Sequence, residues 1–245
     1  MGQLYQDVKL SIKKNKKNSL NSKFILAKST SEFEGICTKL ETTYGLNINH
    51  LLGMGTSCIT FKKPDSDEVI KICSRNIKYL KYKKTSLIEF VKESRAMEPY
   101  ILPVNEMIMD TQSYFVYTQF ACQPLNKKKP IDRNQYNNIF LIIRSLFSNG
   151  LLVGQLRPKN MGYINDRIVL FDYHSMHYLK DRINNKKKWW HSLIGSIDCY
   201  NRLFGLDKYK SLSKIVNQFT DYVKTNRSFD QNKACQLIDD ILKEL

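Results

Sequence analysis

The 245-residue chain has no run of eighteen apolar residues, so no transmembrane helix is expected. Its opening, MGQLYQDVKL, lacks an apolar stretch of signal-peptide length, which argues against secretion. Gly2 follows Met1, but Gln6 stands where an N-myristoylation signal needs Ser or Thr. Cys37, Cys58, Cys73, Cys122, Cys199 and Cys235 form no C-x-x-C pair. Scattered cysteines read as reduced thiols of an intracellular protein, cytoplasmic or nuclear, and not as a disulfide scaffold or zinc knuckle. There is no internal repeat, which excludes a solenoid or propeller.

Acidic residues are scarce. Asp and Glu number 23 against 39 Lys and Arg, for a formal net charge of +16. The lysines gather at Lys13 to Lys17, Lys78 to Lys84, Lys127 to Lys129 and Lys186 to Lys188. A field of this sign attracts phosphate-rich ligands, acidic proteins or nucleic acid. The simpler reading is a solvated surface in a Lys- and Asn-rich composition. Trp189 and Trp190 follow one lysine cluster; basic residues beside aromatics suit single-stranded nucleic acid or a membrane surface, although such tryptophans more often anchor the start of a core helix.

What is present divides into two textures. Residues 1–30 are polar and weakly periodic and read as a basic arm. Ser31 to Tyr44 reads as a short helix with Gly45 as terminator. NINHLLGMGTSCITFKK and EVIKIC then give a glycine-containing hairpin and a third strand. Thr85 to Met97 reads as a helix closed by Pro99. PVNEMIM and SYFVYTQF form another strand pair, and residues 121–134 a linker. Asn134 to Ser148 is an apolar helix, MGYI and RIVLFDY flank an Asn165-Asp166 turn, and Asn185 to Leu245 is helical with breaks near Gly205 and Asn226. The expectation is an N-terminal arm and short helix over 1–45, a β-rich lobe over 46–121 and a helical lobe over 122–245, with a small-molecule cleft between the lobes.

Four segments carry chemistry. Gly53-Met54-Gly55 lies in a hairpin, where the missing Cβ atoms let backbone amides approach phosphate oxygens. Lys71 lies inward on the strand Val69-Ile70-Lys71-Ile72, and a buried ammonium needs a partner. Val153-Gly154-Gln155-Leu156-Arg157-Pro158-Lys159-Asn160 follows an apolar helix and precedes a hairpin. Phe171-Asp172-Tyr173-His174 places Asp172 twelve residues beyond Asn160.

In order, spacing and context these segments resemble the protein kinase superfamily over residues 46 to 175. The resemblance implies an α+β, bilobal kinase-like fold with a β-rich N-lobe and a mainly helical, shortened C-lobe. It implies ATP and Mg²⁺ as ligands. Gly53 and Gly55 would cover the triphosphate, and Lys71 would contact it while paired with Glu93, slightly preferred, or Glu89. Asn160 and Asp172 would hold the metal. Gln155 occupies the position of the catalytic aspartate, Val153 and Gly154 replace the histidine and arginine of that loop, Cys58 replaces the third glycine and His174 the last glycine. No A-P-E motif follows. These departures imply impaired phosphoryl transfer, hence a pseudokinase with a regulatory or scaffolding role and a protein partner. Two alternatives stand beside it: an active divergent Ser/Thr kinase, and a basic nucleic-acid-binding or assembly module on the same fold. The loop from Gly154 to Asn160 also resembles compact kinase-like proteins of large DNA viruses, which would place the chain in a host cell.

Overall fold

The computed structural model describes residues 2–14, 30–55, 58–74, 92, 94–126, 128–153, 156–172, 176–179, 186–225 and 229–245. The chain divides into two compact units: Met1–Lys92 with Pro103–Ala121, and Glu93–Leu102 with Cys122–Leu245. The first is β-rich and the second mainly helical, an α+β architecture.

The first unit is built on a five-stranded sheet. Its strands are β1 (Leu51–Met54), β2 (Cys58–Lys62), β3 (Glu68–Ser74), β4 (Glu106–Asp110) and β5 (Tyr114–Phe120), in the order β1-β2-β3-β5-β4. All neighbouring pairs are antiparallel. Strand alternation gives the sheet two unlike faces. One carries Ile59, Phe61, Ile70, Ile72, Tyr114 and Val116. It packs under two helices, α1 (Gln3–Lys14) and α2 (Thr30–Tyr44), through Leu4, Tyr5, Val8, Ile12, Phe33, Ile36 and Leu40. The other face carries Lys71, Cys58, Cys73, Phe115 and Tyr117.

Two expectations are corrected here. The stretch read as a basic arm contains α1, a helix with buried residues at positions 4, 5, 8 and 12. Those positions fall on one helical stripe, and the intervening Gln, Asp and Lys hid its period in the sequence. The cysteines are not all free: Cys58 and Cys73 form a disulfide. They lie directly opposite each other on β2 and β3, a pairing that cysteine spacing along the chain cannot reveal. Cys37, Cys122, Cys199 and Cys235 are free. The helix expected over Thr85 to Met97 falls mostly on residues 85–91 and 93, outside the described residues.

Glu68 ties the sheet's margin together. Its carboxylate accepts hydrogen bonds from Lys63, from Asn105 at 2.6 Å and from Thr118 at 3.4 Å. Burial pushes its pKa up, but the bonds from Lys63, Asn105 and Thr118 and the Lys63 charge outweigh that and hold it below the usual carboxylate value.

In the second unit α3 (Arg133–Ser148) starts at a capping box between Asp132 and Gln135. Its buried Tyr136, Ile139, Phe140, Ile142, Ile143, Leu146 and Phe147 form the core stripe. Beside it stand α4 (Lys186–Phe204), α5 (Lys210–Thr225) and α6 (Gln231–Glu244), with Gly205 turning the chain after α4 at a φ of 70°. Arg144 of α3 pairs with Asp239 of α6 at 2.8 Å. Trp190 stacks on Phe229 with ring centroids 4.7 Å apart and is buried, so it serves the core and offers no ring to a nucleic-acid strand. Part of the expected linker is instead a short strand, β6 (Gln123–Pro124), paired with β8 (Met161–Ile164). Strand β8 turns through Asn165 and Asp166, both at positive φ (48° and 60°), into β9 (Arg167–Leu170). That is the backbone a two-residue hairpin with right-handed twist demands. Gly162 on β8 meets the β6 backbone so closely that a Cβ would lie 2.7 Å from the Gln123 carbonyl oxygen. A further pair joins β7 (Leu151–Val153) to β10 (Met176–Tyr178).

Among the described residues no helix is long and apolar enough to cross a membrane.

Candidate functional site

In the first unit the strand register sets Gly53 and Lys71 on either side of one residue. Thr60 pairs with Gly53 on β1 and with Lys71 on β3. Two strand spacings, about 10 Å between Cα atoms, therefore separate the glycine hairpin from the lysine. The hairpin closes through the Gly55 amide, which donates to the Cys58 carbonyl at 2.7 Å.

Neither glycine is at positive φ. Among the described residues a Cβ at Gly53 would touch nothing within 4 Å, and one at Gly55 would meet only the Cys58 carbonyl oxygen, at 3.5 Å. The packing of the described chain therefore does not require glycine at either place, unlike Gly162. Close approach of another molecule to the backbone is a reason that remains.

Lys71 is buried, with 5% of its surface exposed. Its Nζ lies 6.0 Å from the centroid of the Tyr117 ring, a cation–π contact. Tyr117 in turn stacks with Phe115, ring centroids 5.8 Å apart. An ammonium group is held in a mostly apolar surround only at a cost that charged or polar partners must offset. Glu89 and Glu93, the candidate partners, lie outside the described residues.

In the second unit Asn160 and Asp172 are brought together by the backbone. Pro158–Asn160 forms a single 3₁₀ turn, and the Asn160 carbonyl accepts from the amides of Phe171 at 3.1 Å and Asp172 at 3.3 Å. Asn160 is buried and Asp172 half-buried. A carboxamide and a carboxylate supply hard oxygen donors of the kind magnesium prefers, so this pair fits that metal by chemistry. The segment is held from both sides. Leu170, two residues before Asp172, bonds through its amide to Tyr100 and through its carbonyl to Leu102. The buried Tyr200 of α4 donates its hydroxyl to the Leu156 carbonyl at 2.7 Å, and burial raises the pKa of that phenol well above its ordinary value. Gln155 and Gly154 lie outside the described residues, as do Tyr173 and His174.

No protein-family model matches this chain, and no curated protein matches it either.

The functional reading therefore stands on the chemistry and placement of these side chains. Tyr200, whose hydroxyl holds the Leu156 carbonyl, is a residue that the sequence did not single out. In the series Leu193, Ile194, Ile197, Tyr200 it reads as one more apolar stripe position, and only the fold reveals which carbonyl its hydroxyl reaches. Thr60 was likewise invisible until strand register placed it between the glycine and the lysine.

Proposed function

We propose that this chain is a kinase-like nucleotide-binding protein with a degraded catalytic loop, a pseudokinase whose role is regulatory or scaffolding. The observation that carries this reading is the row Gly53, Thr60, Lys71, which sets a buried ammonium beside a hairpin whose glycines the described packing does not need. In the second unit the Asn160 carbonyl accepts from the Asp172 amide, which keeps a carboxamide and a carboxylate, both oxygen donors, close to each other along the backbone. In this reading the glycine hairpin lies over the phosphates, where the missing Cβ atoms let its backbone come close, and Lys71 neutralises them. Asn160 and Asp172 would hold Mg²⁺, which would supply charge neutralisation.

Gln155 limits the chemistry. A carboxamide can orient a hydroxyl or water but has no basicity near neutral pH, so it cannot accept the proton as an aspartate would. Loss of a general base costs on the order of 10²–10⁴-fold in rate. Phosphoryl transfer depends on positioning and metal electrostatics as well, so residual turnover is measurable where binding is intact.

Two assays test the reading. A thermal-shift titration with Mg-ATP raises Tm in the native chain and not in Lys71→Met; no shift at millimolar nucleotide removes the nucleotide reading. Phosphate release or transfer by the native chain is slow, a small fraction above background, and rises in Gln155→Asp. Robust turnover in the native chain that disappears in Asp172→Ala makes the protein an active divergent kinase instead.

A further inference from the structure

The disulfide lies on the same sheet face as Lys71. Cys73 follows Lys71 by two residues on β3, and Cys58 opens β2 directly after the glycine hairpin. Cys58 also supplies the carbonyl that the Gly55 amide bonds to. The cross-link thus grips the residue that closes the candidate phosphate turn. The two sulfurs differ in setting. Cys73 is fully buried and lies in the middle of the sheet, paired with β2 on one side and with Phe115 of β5 on the other. Cys58 is 8% exposed and stands at a strand end. A contrast is Cys37, in the helix-covered core, whose thiol burial and the neighbouring Glu41 and Glu34 push up to about 12, leaving it protonated and inert.

We propose that Cys58 and Cys73 form a reversible dithiol–disulfide site, oxidised by glutathione disulfide, whose oxidised form fixes the glycine turn for nucleotide. The affinity part rests on the nucleotide reading above. The exchange balances. The Cys58 thiolate attacks one sulfur of glutathione disulfide and releases a glutathione thiolate. The Cys73 thiolate then displaces the second glutathione from Cys58. Two protein thiols are oxidised, one glutathione disulfide is reduced to two glutathiones, and the two protons pass to the departing thiolates.

The structural consequence follows from packing. Unbonded thiols cannot approach as closely as bonded sulfurs, so on reduction the two side chains rotate apart and the covalent tie between the strand ends is lost. Cys73 is held by strands on both sides. The added freedom therefore falls on Cys58 at its strand end, and through its carbonyl on Gly55. A turn that must be re-ordered on binding lowers affinity compared with one already fixed. Mg-ATP binding weakens about three- to tenfold on reduction.

The full-length chain is equilibrated in glutathione/glutathione disulfide buffers of graded poise, and the Cys58–Cys73 state is read by thiol trapping and peptide mass spectrometry. Mg-ATP affinity is measured on the same samples, with hydrogen exchange of the peptide spanning residues 51–60 as a readout that needs no nucleotide. The proposal expects affinity and Gly55 amide protection to follow the cross-linked fraction, and Cys73→Ser to show the reduced-state affinity at every poise. Native chain trapped reduced gives the same comparison without a substitution. Equal affinity in the two verified states overturns the switch and leaves the nucleotide reading standing. A pair that never cross-links overturns the switch as well. Absence of Mg-ATP binding in both states overturns the affinity claim together with the nucleotide reading, and exchange of the 51–60 peptide then reports whether the sulfurs still control the turn.

Discussion

At Gly53 and Gly55 the chain forgoes side chains that the described packing would tolerate, and this separates a folding role from a binding role. Gly53→Ala and Gly55→Ala are expected to change stability little, within about 0.5–1 kcal/mol, while on the proposed nucleotide reading they lower Mg-ATP affinity, because an added Cβ would hold the phosphates away from the backbone. Urea denaturation and nucleotide titration of the same variants check this; a large loss of stability with unchanged affinity would assign the glycines to folding. Glu68 gives a second prediction. Its folded-state pKa lies below the unfolded value, so the stability it contributes is present above the unfolded carboxylate pKa and is lost as pH falls through the lower folded value. Unfolding free energy of the native chain should drop across that acidic window, and Glu68→Gln should be less stable at neutral pH with a shallower acid drop. An unchanged acid profile in the variant would show that Lys63, Asn105 and Thr118 do not depend on that carboxylate's charge.

Among elements, α1 departs furthest from its sequence. Its Leu4, Tyr5, Val8 and Ile12 close one face of the sheet with α2, leaving the Lys71 face as the other. Leu4→Ala should cost about 2–4 kcal/mol, with hydrogen-exchange protection falling in β2, β3 and β5. A solvated arm would give less than about 0.5 kcal/mol. The contrast with the β8–β9 hairpin shows what makes an element legible. Asn165-Asp166 announces its turn locally, because few residue pairs accept positive φ twice in succession. Gly45 and Gly205 end helices for the same local reason. Helix α1 owes its existence to tertiary burial of a stripe diluted by Lys, Gln and Asp, and no local signal encodes its partner surface. The Cys58–Cys73 pairing and the Gly53–Thr60–Lys71 row share that limit, since strand register is a property of paired strands.

For the molecule as a whole, the sequence texture conveyed a β-rich stretch followed by a helical one, and the two compact units follow it with one exchange: Glu93–Leu102 belongs with the helical unit. The cause is pairing, since Tyr100 and Leu102 bond to Leu170 of β9 and Ile101 bridges to it, a long-range contact absent from any local pattern. Candidate residues were legible as motifs because their spacing is short, Asn160 to Asp172 above all. The net charge of +16 adds a long-range term: nucleotide association should slow as ionic strength rises and the field is screened. The most direct measurement is isothermal titration of the full chain with ATP, with and without Mg²⁺. The account predicts one nucleotide bound per chain, affinity strengthened by Mg²⁺, lost in Lys71→Met and made insensitive to Mg²⁺ in Asp172→Ala. Absence of heat at millimolar ATP, or binding that neither substitution alters, would contradict it.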